Sequence, residues 1–272
     1  MTELASKDFG GDGAPVLLLH GAGAHLDGMA PLAEALREEH RVVAVDLPGH
    51  GYSPDATGWE WPSVLAALDE VVTSRGLGAP IVVGHSLGGM LATLWADVHP
   101  DCPAAISLDG NPLADGPGQL PGLADAEAEY ARLTATFDAL AEAMTHPVPE
   151  ELLDMLMPRS LEQRDGKTFT RPNPALVAQL RQAMTALDLT PVYARVQVPL
   201  LLVLATEDLA DQVPFHDLYA ANRAFIREQV LALAQRNPHF RVEVLEGSTH
   251  GMALDNVPEL TKLIADFVGG NA

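Results

Sequence analysis

The sequence predicts a mostly parallel, doubly wound α/β sheet carrying an all-helical insertion between two of its core strands. Two features of the 272-residue chain lead there. Short apolar runs alternate with longer helical patterns, the arrangement of strands joined by crossover helices. The alternation stops between about Asn111 and Val196, where helical patterns are punctuated by Pro and Gly and no strand-like run stands out.

The strand candidates are Val16–Leu19, Val42–Val45, Ile81–Val83, Ala105–Leu108, Leu200–Leu204 and Arg241–Leu245. All but the last are nearly continuous apolar runs, as strands buried on both faces require. In the last, Arg241 and Glu243 alternate with Val242 and Val244, which places it nearer a sheet edge. Helices are expected over Met29–Glu39, Ser63–Ser74, Leu87–Val98 and Pro258–Phe267. Asn256 is the expected N-cap of the last, and Pro258 falls in its first turn, where a missing N–H costs nothing. A further pattern, His216–Gln235, is long for one crossover and is expected to protrude or to help a partner subunit dock. Inside the insertion, Ala126–Ala143, Glu150–Met157 and Pro174–Leu187 read as helices. The organisation that follows is a core domain of residues 1–110 and 197–272 with a helical cap of residues 111–196.

Sixteen Lys and Arg against 37 Asp and Glu give a net charge of −21 and an isoelectric point near 4.6. Such a surface repels nucleic-acid phosphates and anionic membranes, so neither is an expected partner. No run approaches the roughly 18 apolar residues of a membrane helix. The first residues carry no basic and apolar signal pattern, and a cytoplasmic location is the expectation. The single Cys102 excludes an internal disulfide and reads as a structural thiol. There is no His-Glu-x-x-His pattern, no Cys/His cluster, no Gly-x-Gly-x-x-Gly and no Walker pattern, so no metal or nucleotide cofactor is expected. The expected partner is a small-molecule substrate, with the chain a monomer or a homodimer.

Three loops carry chemistry. Gly84-His85-Ser86-Leu87-Gly88-Gly89 lies between the strand at Ile81 and the helix at Leu87. In that setting Gly-x-Ser-x-Gly is a nucleophile elbow, a tight turn that lifts a serine hydroxyl above the sheet at a helix N-terminus. His85, next to the serine on a tight turn, is expected to point away and pack. His20-Gly21-Ala22-Gly23 follows the first core strand and can aim a backbone N–H at a reacting oxygen. The N–H groups of Ala22 and Leu87 are the expected oxyanion donors. His20 itself is expected to brace the loop, and His25 and His50 to fall on loops that border the site. Gly247-Ser248-Thr249-His250-Gly251-Met252 follows the last strand, and His250 there can reach a serine at the same sheet edge as general base.

A carboxylate must hold the base's other nitrogen. The strand at Leu200 runs into Glu207, Asp208 and Asp211; Asp208 fits best by spacing, with Asp211, Asp109 and Glu207 as alternatives. The resulting chain order is Ser, Asp, His.

With these loops in place the sequence resembles the α/β-hydrolase superfamily, in the subgroup with a helical cap inserted after the sixth strand. The resemblance rests on His20–Gly23, Asp46-Leu47-Pro48-Gly49-His50-Gly51-Tyr52-Ser53, the elbow at Gly84–Gly89, the acid loop at Asp208 and Thr249-His250-Gly251. These span most of the chain outside the cap. The family usually opens with two antiparallel strands, whereas about 15 residues precede the Val16 strand, so the first is expected to be short or absent. Family members often have Gly where this chain has Ala205. The resemblance implies ester-type acyl transfer through Ser86, His250 and Asp208. The serine at the elbow separates this chain from the epoxide hydrolases and haloalkane dehalogenases of the superfamily, which use an aspartate. Carboxylester, lactone or related acyl compounds are the expected substrates. A C–C bond hydrolase, a pathway lyase or cyclase, and a weakly catalytic receptor are the alternatives. Met144, Leu152, Leu153, Met155, Met157 and Phe169 are candidate pocket-lining residues, each more simply explained as packing of the cap's own core.

Overall fold

The computed structural model describes residues 3–56, 58–111, 120 and 123–270. The apolar runs form β2 (Ala14–Leu19), β3 (His40–Val45), β4 (Ile81–His85), β5 (Ala105–Leu108), β8 (Leu200–Glu207) and β9 (Phe240–Thr249). With β1 (Ser6–Gly10) they make one seven-stranded sheet in the order β1-β3-β2-β4-β5-β8-β9. β1 pairs antiparallel with β3, and every other pairing in this sheet is parallel.

Strand side chains alternate between two apolar layers, as the two-residue period dictates. Val16, Leu18, Val42, Ala44, Ile81 and Val83 point to one. There they meet Leu32 and Leu36 of α1 (Ala30–Leu36) and Leu260 and Ile264 of α9 (Val257–Gly269). Leu17, Leu19, Val43, Val45 and Val82 point to the other. That layer takes in Leu68 of α2 (Trp61–Ser74), Leu91 of α3 (Leu87–Val98), Val192 of α6 (Thr190–Arg195) and Ile226 of α7 (His216–Ala234). The long α7 does not protrude: Leu218, Asn222, Ile226 and Val230, spaced by four, bury one stripe along its length. A short α8 (Met252–Asp255) precedes α9; Asn256 stands at the α9 N-cap, but its side chain makes no capping bond.

The sequence expectation needs correcting at four places. β1 was not foreseen because four of its five residues are not buried; only Phe9 is, and pairing with β3 holds it as an edge. Since that is the one strand before β2 among the described residues, the insertion follows the fifth of their strands and not the sixth. The insertion is also not all-helical. Besides α4 (Ala126–Ala143) and α5 (Pro174–Thr185) it holds a hairpin, β6 (Leu161–Arg164) and β7 (Lys167–Thr170). Its turn is Asp165-Gly166, both at positive φ (+52° and +72°), the two-residue connection that suits strand twist. Glu150–Met155 is a 3-10 turn, not an α-helix. Asn173 caps α5 by accepting the Leu176 N–H at 2.9 Å, and Leu176 and Leu180 sink into the core layer.

Cys102 is buried, donating to the carbonyl of Ala104 at 3.3 Å, and burial pushes its thiol up to about 12. The thiolate is the reactive form. At pH 8 a thiol reagent should therefore leave the folded protein unlabelled and label one cysteine per chain after unfolding in guanidinium. Rapid labelling of the native protein would contradict this environment.

Candidate active site

Chain order reverses between β2 and β4: from β2 the chain crosses to β3, and from β4 it crosses to β5. Loops leaving the carboxyl ends of two such strands diverge and open a crevice. Leu19 of β2 lies opposite Gly84 of β4, so His20–Gly23 and the elbow leave the sheet side by side. Ser86 sits at φ +53°, ψ −117°, with its N–H donating to Leu108 O at 2.9 Å and its carbonyl accepting from Met90 N at 3.0 Å. A non-glycine residue at such angles costs roughly 1–3 kcal/mol and persists only where its surroundings enforce it. The enforcement here is backbone against backbone. A Cβ on Gly84 would come 1.9 Å from the Gly88 carbonyl oxygen, and one on Gly88 would come 2.3 Å from that of Leu19. The oxyanion-loop candidate also touches the serine directly, since a Cβ on Gly21 would stand 3.1 Å from Ser86 Cβ.

His250 follows β9, and its Nδ1 donates to Asp109 Oδ2 at 2.6 Å. Asp109 directly follows β5 at φ +50°, a conformation Asp tolerates better than most residues. Its N–H donates to Val203 O at 2.8 Å and its Oδ1 accepts from Ala205 N at 3.1 Å, so the carboxylate is fixed over β8. Burial opposes its charge, but the His250 hydrogen bond and charge outweigh that and hold the carboxyl below the usual range. The bond to His250 that was expected of Asp208 is made by Asp109. The Asp208 carboxylate is engaged by Arg223 of α7 and by His216 Nδ1 at 2.5 Å, and these partners hold it below the usual range against its desolvation. Asp211 and Glu207 are exposed. Of the four carboxylates weighed from the sequence, Asp109 is the one that meets His250.

Histidines pin the surrounding loops. His20 Nδ1 donates to Gly21 O at 2.7 Å, and its Nε2 accepts the Leu47 N–H at 2.9 Å. His50 Nδ1 donates to Pro48 O at 3.0 Å, and its Nε2 accepts the Gly23 N–H at 3.2 Å. A ring that both donates to a carbonyl and accepts from an amide is neutral. Burial accordingly lowers His20 well below the ordinary imidazole range and His50 to about 4. His85 did not turn out to be simple packing: its Nε2 donates to the His250 carbonyl at 2.6 Å, and desolvation with the nearby His250 lowers it to about 4.

Below these loops lies Asp46, fully buried, whose Oδ1 accepts from Leu26 N at 2.8 Å and Oδ2 from Tyr52 N at 2.9 Å. The insertion reaches down to it. Arg159 bonds Asp46 Oδ2 at 2.5 Å and Asp27 Oδ2 at 2.9 Å, and its guanidinium lies 4.0 Å from the Tyr52 ring centroid. Arg171 donates to the carbonyls of Gly49 and Ser53 and to Asp55. Neither arginine was singled out in the sequence, where long-range pairing leaves no local signal. Among the described residues no hydrogen-bond acceptor meets the N–H of Ala22 or Leu87, the two candidate oxyanion donors. Of the candidate lining residues, Leu152, Met155 and Met157 are exposed and form no core within the insertion, whereas Phe169 is covered by Arg164. No group of three metal-ligating side chains occurs among the described residues, and none of their helices is long and apolar enough to cross a membrane.

The neutral rings carry a pH dependence. In the unfolded chain imidazole binds a proton near pH 6.5, whereas folded His50 and His85 do so only near pH 4. The unfolded state thus takes up more protons on acidification, and stability should fall steadily from pH 6.5 to 4, by up to roughly 3 kcal/mol per ring. Urea midpoints across that range check this; a flat profile would contradict it.

Comparison with known proteins agrees with this architecture. A family model described as "Alpha/beta hydrolase family" matches residues 16–261. A pimeloyl-[acyl-carrier protein] methyl ester esterase of Chromobacterium violaceum is 30% identical over 207 residues, covering 73% of this chain and 77% of its own. Among solved structures, E-2-(acetamidomethylene)succinate hydrolase superposes with a TM-score of 0.70 at 22% identity, over 98% of this chain and 95% of its own. The enol-lactonase of Burkholderia xenovorans gives 0.69 at 22% identity, over 98% and 97%. With the match running from β2 into α9, the chain belongs to the alpha/beta hydrolase family.

Proposed function

We propose that the protein is a serine esterase in which Ser86, His250 and Asp109 act together on a carboxylester or lactone. The observation that carries this reading is the Asp109–His250 hydrogen bond of 2.6 Å at the strand ends beside the positive-φ Ser86. Asp109 keeps the His250 proton on Nδ1, so Nε2 has the free lone pair a general base needs. Ser86 Oγ attacks the carbonyl carbon as its proton passes to Nε2, and the carbonyl oxygen gains the negative charge. The N–H groups of Ala22 and Leu87, the latter at the positive end of α3, stabilise that charge. Collapse expels the alcohol, which takes the proton from Nε2. Water, deprotonated by His250, then releases the acid and restores the serine.

The surface charge narrows the substrate to a free, uncharged ester. The net charge is −21, and each arginine between residues 111 and 196 is already ion-paired with a carboxylate. Little is left to attract the phosphates of coenzyme A or an acidic carrier protein, although the Chromobacterium relative is named for a carrier-bound ester.

Two measurements test this. With p-nitrophenyl esters, Ser86→Ala should lower kcat by roughly 10⁴- to 10⁶-fold and Asp109→Asn by roughly 10⁴-fold. Asp208→Asn should stay active; loss of activity there with Asp109→Asn active would reverse the assignment of the acid. The same acyl group should then be offered as a free methyl ester and as a coenzyme A thioester at rising salt. The free ester should have the higher kcat/KM and no salt dependence, and the thioester should improve as salt screens repulsion. A thioester preferred at low salt would rule out the charge argument.

A further inference from the structure

We propose that His85, the residue before the elbow serine, is a positioning residue that fixes the His250 main chain from below. The inference rests on the reading of Ser86 and His250 as the reacting pair. His85 Nε2 donates to the His250 carbonyl at 2.6 Å, and the two rings lie 4.8 Å apart, tilted by 46°. On its other side His85 meets the oxyanion loop, where a Cβ on Gly21 would stand 3.1 Å from His85 Nδ1. One imidazole thus touches the loop after β2 and the loop after β9 while its own backbone forms the elbow. It ties together three loops that are separate in sequence and must be in register to a fraction of an ångström.

The donor has to be neutral. When Ser86 gives up its proton, His250 becomes an imidazolium, and a cation 4.8 Å away would oppose it. Arg or Lys could hold the carbonyl but would raise the barrier. An imidazole held uncharged by burial donates one N–H and adds no charge. Without that donor the His250 carbonyl loses its partner and the loop can shift. The Nδ1–Asp109 bond then lengthens and Nε2 leaves the serine. A misplacement of about 1 Å at reacting groups is worth roughly 100-fold in rate.

The test compares His85→Gln with His85→Asn, two neutral polar replacements. Gln can place an amide N–H near the position of Nε2; Asn is too short. With a p-nitrophenyl ester, Asn should lower kcat by roughly 10- to 100-fold at nearly unchanged KM, and Gln should restore most of it. The proton resonance of His250 Nδ1–H, identified by its loss in Asp109→Asn, should persist in Gln and broaden or vanish in Asn. Equal kcat and equal resonance in Gln, Asn and wild type would overturn the role of His85 and leave the function reading intact. Activity surviving in Ser86→Ala would sink the function reading itself. Should both His85 variants lose the resonance and the rate equally while still folded by circular dichroism, the carbonyl contact is not what His85 contributes, and the proposal fails.

Discussion

The structure depends on a single steric constraint: a serine at φ +53° can exist only where several backbones close on it with no side chain between them. Gly84 and Gly88 meet across the turn, Gly88 faces the carbonyl at the end of β2, and Gly110 faces the Ser86 carbonyl at a distance where a Cβ would stand 2.6 Å away. Any of these positions carrying a side chain would push β4 and α3 apart and let the turn relax. The strain at Ser86 is therefore held by the packing of strands β2, β4 and β5, and the central sheet, buried on both faces, is the rigid body that holds it.

Around that turn the structure supports the loops with polar groups whose hydrogen bonds are completed internally. Asp46 carries three partners on a carboxylate with no exposure, and His20 and His50 each use both ring nitrogens. Buried polar groups stabilise only when satisfied in this way, and they then specify one arrangement. The neutral histidines serve as rigid spacers that link main chain to main chain, a task that a charged side chain could not perform in the same space without a counter-ion.

Much of this was legible in the sequence because it is local. The six core strands, the helix over Leu87–Val98, the turn at Ser86 and the loop that carries His250 all follow from runs and turns within a few residues. What could not be read was pairing across distance. Asp208 had the right spacing, but whether a carboxylate serves a histidine depends on what else reaches it, and Arg223 from α7 reaches Asp208. The clue available for Asp109 was an Asp-Gly pair immediately after a buried strand, where a left-handed turn is tolerated. The hairpin at Leu161–Thr170 carried the same kind of clue in Asp165-Gly166, hidden because its strands are polar and not apolar runs.

That Asp109, the partner of His250, directly follows β5 bears on how far this chain can be remodelled. The insertion departs from the same strand, two residues beyond the carboxylate, and Gly110 between them is pressed against the serine turn. A graft that replaced the insertion with a foreign one would have to join after Gly110, or it would exchange the partner of His250 and the glycine packed on the serine turn together with the insertion. On the return side the splice is freer, since β8 holds Asp109 through two main-chain groups, the N–H of Ala205 and the carbonyl of Val203. The two junctions are thus unequal: one is a seam that tolerates recombination, and the other is a boundary that the insertion shares with the turn holding Ser86.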